Sequence, residues 1–348
     1  MSDGRVGQLL SANVQLAEIV ITAILMFLIG LHADMSVARD VVRTMPNRAA
    51  FYSTLVVVIV LVPAVTVIGL LSAPQLPPTT VLGILIVGLL PGGPMANVIA
   101  LASSANSELN ACLTAVEQCW SVGMVAFGLF VVYPLSFDSS QVFDIPFDQL
   151  LVSLTRTVLP LAAGMLASAQ FSQSQEDVHR RRRFIQIGIF VAFAATVGFG
   201  AIAHKTAGGG GVGEAAKAAA QAALPSKATT IAACLFALAI NVCGFGLAKF
   251  VPSQPAANRR SMILEVGIRD IALALPLITL GLPTLSLTDQ ARVASSAILS
   301  ALCCNVTTVL TTLVASHGPC AGCLGDDGPP PPPAKVAEES GEDLHPLV

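Results

Sequence analysis

Charge is what this chain has least of. Only 11% of its 348 residues are Asp, Glu, Lys or Arg, and 54% are hydrophobic; a soluble domain carries about 25% charged residues. So few charges cannot cover a water-exposed surface or build a basic face for nucleic acid. Histidine is scarce as well. The five are His32, His179, His204, His317 and His345, all in or beside loops, so no base stands ready for a nucleophile and no enzymatic activity is expected. A disulfide framework is also missing. Cys112, Cys119, Cys234, Cys243, Cys303 and Cys304 lie within apolar stretches, where a thiol behaves as a small hydrophobe. Cys320-Ala321-Gly322-Cys323 supplies only half a zinc site. Gly208 to Gly211 and Gly213 follow no strand and cradle no phosphate; they read as a connector. No cofactor is expected.

What the chain does have is long apolar runs. Stretches near 18 residues or longer fall at about 16–32, 51–73, 79–102, 109–135, 148–169, 184–203, 229–251, 262–282 and 293–316. These predict nine transmembrane helices in an all-α integral membrane protein. Basic residues gather in every second loop: Arg39, Arg43 and Arg48, then Arg180 to Arg183, then Lys249, Arg259 and Arg260. The other side has only Arg5, Lys205, Lys217, Lys227 and Arg292, with the acidic residues Asp138, Asp144 and Asp148. That bias puts the N terminus outside and the C terminus in the cytosol. Residues 1–15 read as a short outer segment without a targeting signature, 16–317 as the membrane domain, and 318–348 as a disordered tail carrying Pro329 to Pro333. Asn305-Val306-Thr307 fits a glycosylation sequon but lies inside the last span, out of reach of a glycosylating enzyme.

Two segments conflict with a plain bundle. Leu89-Leu90-Pro91-Gly92-Gly93-Pro94-Met95-Ala96-Asn97-Val98 puts two prolines and two glycines inside an apolar span. Proline removes a helix donor and glycine weakens the helix, so backbone groups are freed where lipid cannot satisfy them. Span eight carries Glu265, Arg269 and Asp270 around Gly267, and each charge facing lipid costs on the order of 2.5 to 3.5 kcal/mol. Glu265 and Arg269 are four apart, so an internal ion pair that merely makes the charges tolerable is one reading and a functional site is the other. Span four adds Asn110, Thr114 and Glu117 in register along one stripe.

Together these motifs resemble the bile acid:sodium symporter family, whose signatures are Pro-Gly-Gly-Thr-x-Ser-Asn-Val in one crossing helix and Glu-x-Gly-Met-Gln-Asn in the other. The resemblance covers about residues 16–316, with further matches at Met26-Phe27-Leu28-Ile29-Gly30, Gly123-Met124 and Asn305-Val306-Thr307. It implies the nine-helix branch of that family: inverted repeats, a core domain with two discontinuous helices crossing at mid-membrane, a panel domain beside it, and alternating access. The crossing helices would be spans three and eight, broken near Pro91 to Pro94 and near Glu265 to Arg269.

Carried over residue by residue, the resemblance implies a sodium site of Asn97, Asn110, Thr114 and Glu265. Ala96 and Asn110 stand where the family has serine. A second sodium site has lost its side chains: Arg269 and Val58 occupy the positions of two glutamines, so Arg269 is expected to replace that sodium, with Glu117 as its ion-pair partner or with the carboxylate of a substrate. The substrate positions correspond to Pro94, Asp270, Cys304 and Asn305, and only Asn305 keeps the family residue. A bile acid is therefore no better an expectation than a smaller organic anion such as a keto acid, a sterol sulfate or a vitamin. Expected partners are that anion, sodium as coupling ion and the bilayer, with no nucleic acid. The alternatives are a metalloid-anion efflux carrier using Cys112 or Cys119, and a non-transporting scaffold or receptor. Arg156 in span five has no role in any of these readings.

Overall fold

The computed structural model describes residues 3–33, 47–134, 147–170, 183–192, 224–251, 254–271 and 285–317, and singly 39, 41, 43, 194, 273, 274, 277, 278 and 282. The expected tail, the glycine run, Asp138 and Asp144 lie outside these residues. Among the described residues there is no strand. The helices are α1 (Asp3–His32), α2 (Asn47–Leu71), α3 (Pro78–Leu89), α4 (Pro94–Ala102), α5 (Ser107–Val132), α6 (Phe147–Gln170), α7 (Arg183–Ala192), α8 (Lys227–Phe250), α9 (Ala256–Gly267) and α10 (Leu287–His317). This is an all-α membrane protein. Among the described residues α2, α5, α8 and the Thr288–Val314 part of α10 are long and apolar enough to cross a bilayer, and the bent α3–α4 pair makes five. Shorter apolar helical stretches are Ile19–His32 and Arg183–Ala192.

Burial sorts these helices. In α3 every residue from Thr80 to Leu89 is buried, and in α9 so is every residue from Ser261 to Gly267. Helical stretches buried on every face belong inside a bundle, and these two form its interior. By contrast, α2, α8 and α10 expose one row of apolar side chains each, among them Val56, Val60 and Ile68, Ile231, Leu235 and Leu238, and Leu302, Val306 and Leu310. Those rows are what hydrocarbon solvates at no cost. A separate group of α1, α6 and α7 packs around Leu25, Met26, Ile29, Leu161, Ile185 and Ile189, and reaches the bundle through Val98 of α4 and Ala111 of α5. Gly30 and Gly164 let α1 and α6 touch backbone to backbone: a Cβ on either would strike the other helix's main chain. This is the panel-beside-core arrangement expected of the fold class.

Two one-turn π segments, Val57–Leu61 in α2 and Gly128–Val132 in α5, each close with an i→i+5 bond, Val62 N–H to Val57 O and Tyr133 N–H to Gly128 O. Pro63 and Pro134 follow at once. A proline ring clashes with the carbonyl four residues back, and widening the turn moves that carbonyl aside.

Candidate functional site

The first break is at Leu90–Gly93, where Leu90 (φ −81°, ψ 145°) and Gly93 (φ −101°, ψ −173°) are extended and α3 and α4 meet at 60°. Pro94 restarts the helix at its first position, where a missing N–H costs nothing. The second break follows Gly267, with Ile268 extended (φ −75°, ψ 139°). The two extended runs lie against each other: the Asp270 N–H donates to Pro91 O at 3.2 Å. Their approach requires glycine. A Cβ on Gly92 would overlap the Glu265 carboxylate, and one on Gly93 would sit 2.9 Å from Cγ of Asp270.

Because α9 ends at Gly267, Glu265 is the third-last residue of a helix and Arg269 lies beyond its end. The two therefore do not stack on one helical face, and no ion pair forms between them. Glu265 instead turns to α5. Its Oε1 accepts from Asn110 Nδ2 at 2.7 Å and from Thr114 Oγ1 at 2.8 Å, while Asn97 Nδ2, on the first turn of α4, donates to Thr114 Oγ1 at 2.8 Å. So the four residues matched to a sodium site come together in one cluster, each at most 1% exposed. Three of its oxygens have no hydrogen-bond partner: Asn97 Oδ1, Asn110 Oδ1 and Glu265 Oε2. An unsatisfied buried polar atom costs about 1–3 kcal/mol, and more when charged. Hard, anionic and neutral oxygens left open in one cluster are the ligand set that a small alkali cation takes. The residues present fit sodium.

Arg269 is 1% exposed and spends its guanidinium on backbone. Nη1 donates to Leu90 O at 2.9 Å and Nη2 to Val266 O at 2.5 Å. Those carbonyls flank the two breaks, so the guanidinium is a cation solvated by freed carbonyls. The pairing expected with Glu117 is not made. Glu117 Oε2 accepts from the Gly92 N–H at 3.2 Å, and Gln118 Nε2 donates to Gly92 O at 3.4 Å, so α5 holds both polar groups of that glycine. The physical reason is local: the unwound backbone presents unsatisfied groups nearer to each side chain than the opposite charge. Sequence reasoning missed Gln118, although a glutamine beside a glutamate in an apolar span is itself a signal. Val58, where the family has a glutamine, is buried in the π turn of α2 and lines a cleft next to Glu117. It supplies no oxygen.

Of the residues matched to substrate positions, Asn305 is committed to structure. Its Oδ1 accepts from the Arg269 N–H at 2.7 Å and its Nδ2 donates to Arg269 O at 3.2 Å, holding that peptide from both sides. Asp270 accepts from the Leu273 N–H at 3.3 Å, the bond an N-cap makes to the third residue on. Cys304 is fully buried on α10, and Pro94 caps the first break. Cys112 packs among apolar side chains and Cys119 is exposed. Among the described residues no three His, Cys, Asp or Glu side chains gather as a metal centre. Arg156 lies in α6 with its Nε unpartnered.

At one end of the bundle, three elements are tied by asparagines. Asn106 before α5 donates to Asn258 of α9 at 2.8 Å, Asn258 donates to Asn47 of α2 at 2.8 Å, and Ser261 donates to Asn106 O at 2.9 Å. Arg260 reaches Ser103 O and Ser104 O in the same turn. Arg48 at the start of α2 and Arg259 and Arg260 near the start of α9 are thus on one side.

A family model described as the sodium bile acid symporter family matches residues 19–205. The mouse ileal sodium/bile acid cotransporter is 24% identical over 203 residues, 58% of this chain and 53% of that protein. The rat sodium-dependent organic anion transporter is 25% identical over 205 residues, 59% of this chain and 50% of the relative. The chain spans about half the length of the curated relatives it matches. The family match ends before α8, so the break that carries Glu265 and Arg269 lies outside it.

Proposed function

The chain belongs to the sodium bile acid symporter family, and from that premise we propose that it is a secondary carrier coupling entry of a small organic anion to sodium by alternating access. The observation that carries this reading is the buried cluster of Asn97, Asn110, Thr114 and Glu265 with three open oxygens at the meeting of two broken helices. Such a cluster is costly empty and is relieved by a cation. The group of α1, α6 and α7 is the body against which the crossing would rock.

Arg269 stands in for a second sodium. Its guanidinium takes carbonyls at both breaks, as a bound cation would, but it cannot leave. One sodium then suffices. The substrate is an anion smaller than a bile acid, received near Pro94, Asp270, Cys304 and Asn305. The relatives' names mention bile acids and organic anions; the departure of this chain from the family residue at Pro94, Asp270 and Cys304 favours the second. The basic loops and the asparagine tie at one end support a cytosolic side there, with the N terminus outside. Residues 1–15 and 318–348 would flank the membrane domain 16–317.

The test is isotope flux into liposomes holding the purified chain, with a keto acid, a sterol sulfate and a bile acid in turn. Uptake of at least one is expected to need an inward sodium gradient, with a Hill coefficient for sodium of about one. Uptake indifferent to sodium for all three overturns the coupling. A coefficient near two removes Arg269 as the substitute. Arg269→Gln, which returns the family residue, is expected to raise the coefficient towards two.

A further inference from the structure

Between the last turns of α2 and the first half of α8, at the end of the bundle away from the asparagine tie, lies a slot of about 450 Å³. That volume is in the range of sites that hold a small molecule. Its lining on α8 runs from Ala228 to Ala239, about 16 Å along the helix axis, so the slot is elongated. Leu70, Leu76, Ile84 and Phe236 form a buried floor, while Ile231 and Leu235 line it and are also exposed. Thr66 spends its hydroxyl on Val62 O at 2.7 Å. Apart from Gln75 at one end, the walls suit hydrocarbon. Two features make the room. Gly69 lies inside a helical stretch of α2, which glycine weakens, yet a Cβ on it would meet nothing within 4 Å. No neighbouring backbone demands that glycine, in contrast to Gly30 and Gly164. On the opposite wall α8 contributes Ala228, Ala232 and Ala239 where larger side chains would close the gap.

Ile231 and Leu235 belong to the row of α8 that hydrocarbon solvates, so the slot opens into lipid rather than water. Whatever enters must be dissolved in the bilayer, and the acyl chains of phospholipids already stand at that opening. The end of the slot at Gln75 and Ala228 carries a matching charge. Lys227 is exposed immediately before Ala228, on the first turn of α8, where the helix dipole is positive. A lysine at the end of a membrane helix extends its ammonium to the level of the headgroups. A chain lying along the slot thus brings its phosphate to a cation. We propose that the slot binds one acyl chain of a membrane phospholipid, with Lys227 taking the phosphate, so that a bound lipid fills the gap between α2 and α8. A sterol would bring the apolar body without a phosphate, and a second copy of this chain would have to insert side chains from its own helices.

The experiment uses the purified full chain in liposomes containing phosphatidylglycerol with a photoreactive diazirine in its palmitoyl chain. After irradiation, adducts are located by peptide mass spectrometry, and lipid retained after detergent exchange is weighed by native mass spectrometry. Adducts are expected to concentrate on residues 65–76 and 228–239, with one phospholipid retained per chain. Gly69→Leu places a side chain in the slot and is expected to reduce both signals about tenfold, the loss of space for about two methylenes. Gly69→Ala leaves most of the space and is expected to stay within about threefold. Lys227→Gln is expected to weaken retention about fivefold. If Gly69→Leu does not fold, Ala232→Phe fills the slot from the other wall and decides in its place. Adducts spread evenly over the lipid-facing rows, or retention equal in wild type and Gly69→Leu, overturn the proposal. Retention indifferent to Lys227→Gln, or displacement of the phospholipid by cholesterol, overturns the phospholipid as occupant. A dimer that Gly69→Leu dissociates makes the slot an interface between copies and overturns it as well.

Discussion

The break at Leu90–Gly93 contains no ionisable side chain, whereas the one after Gly267 puts Arg269 and Asp270 directly into the unwound run and Glu265 just before it. The first break is made of prolines and glycines and offers bare backbone: its Leu90 and Pro91 carbonyls accept, and its Gly92 presents both polar groups to α5. The second needs only one glycine, because its charges have that bare backbone to bind. Each break satisfies much of the other, which is why neither would persist alone in lipid, where an unpaired backbone group costs several kcal/mol. Close approach and charge, the two things a buried ion site requires, are divided between two segments about 175 residues apart.

That division is tested most severely by taking the charge from the second break. Glu265→Gln leaves hydrogen-bond shape nearly intact but removes the only formal charge among the four clustered residues. Losing one partner of a buried charge interaction costs about 3–5 kcal/mol, which is about a hundredfold or more in affinity. Sodium binding to the purified chain is expected to fall by that factor while thermal stability holds or rises, since the empty site loses a buried charge. If sodium binding stays within a factor of about three, charge and close approach are not divided in this way.

Much of the crossing was legible because its signals are local. Two prolines and two glycines in an apolar run announce an unwound backbone, and three charges around Gly267 announce a polar interior, whatever the rest of the chain does. The grouping of Asn97, Asn110, Thr114 and Glu265 came through family resemblance rather than spacing, since three separate helices supply them. Two features were hidden for a common reason: they depend on carbonyls and amides that a sequence does not display. Arg269 was expected to face a carboxylate and bonds Leu90 O and Val266 O instead; Glu117 was expected to face Arg269 and bonds the Gly92 N–H. The helix pairing of Glu265 with Arg269 failed because the helix stops between them, two residues earlier than a four-residue spacing needs. The π turns before Pro63 and Pro134 had a signal in the prolines, but a fixed helical period passes over it.

A middle-sized effect is expected from adding a methyl group to the first break. In Gly92→Ala the new Cβ meets the carboxylate of Glu265, the movable end of a side chain, rather than a backbone wall. The fold can give way by moving Glu265, but that displaces the sodium ligand. Sodium affinity is therefore expected to fall about tenfold with stability changed by about 1 kcal/mol, read by sodium titration and by Tm. A collapse of Tm with it would mean that Gly92 serves the backbone and not the site.

The smallest effect on sodium is expected at Asn305, and it separates two accounts of one residue. The family resemblance puts Asn305 among the substrate contacts, whereas its amide here spans the Arg269 peptide, accepting from the N–H and donating to the carbonyl. Asn305→Ala frees two buried backbone groups, a cost of about 1–3 kcal/mol, so Tm is expected to fall while sodium affinity stays within about threefold. Uptake would weaken in step with stability, because the second break carries the charge and would be the part that loosens. If Tm holds and only KM for the anion rises, Asn305 touches substrate, and the second break is held by its own charges against the carbonyls of the first. In that outcome the contrast between the breaks sharpens further: bare backbone on one side and self-sufficient charge on the other, with α10 a wall of the substrate site rather than a clamp.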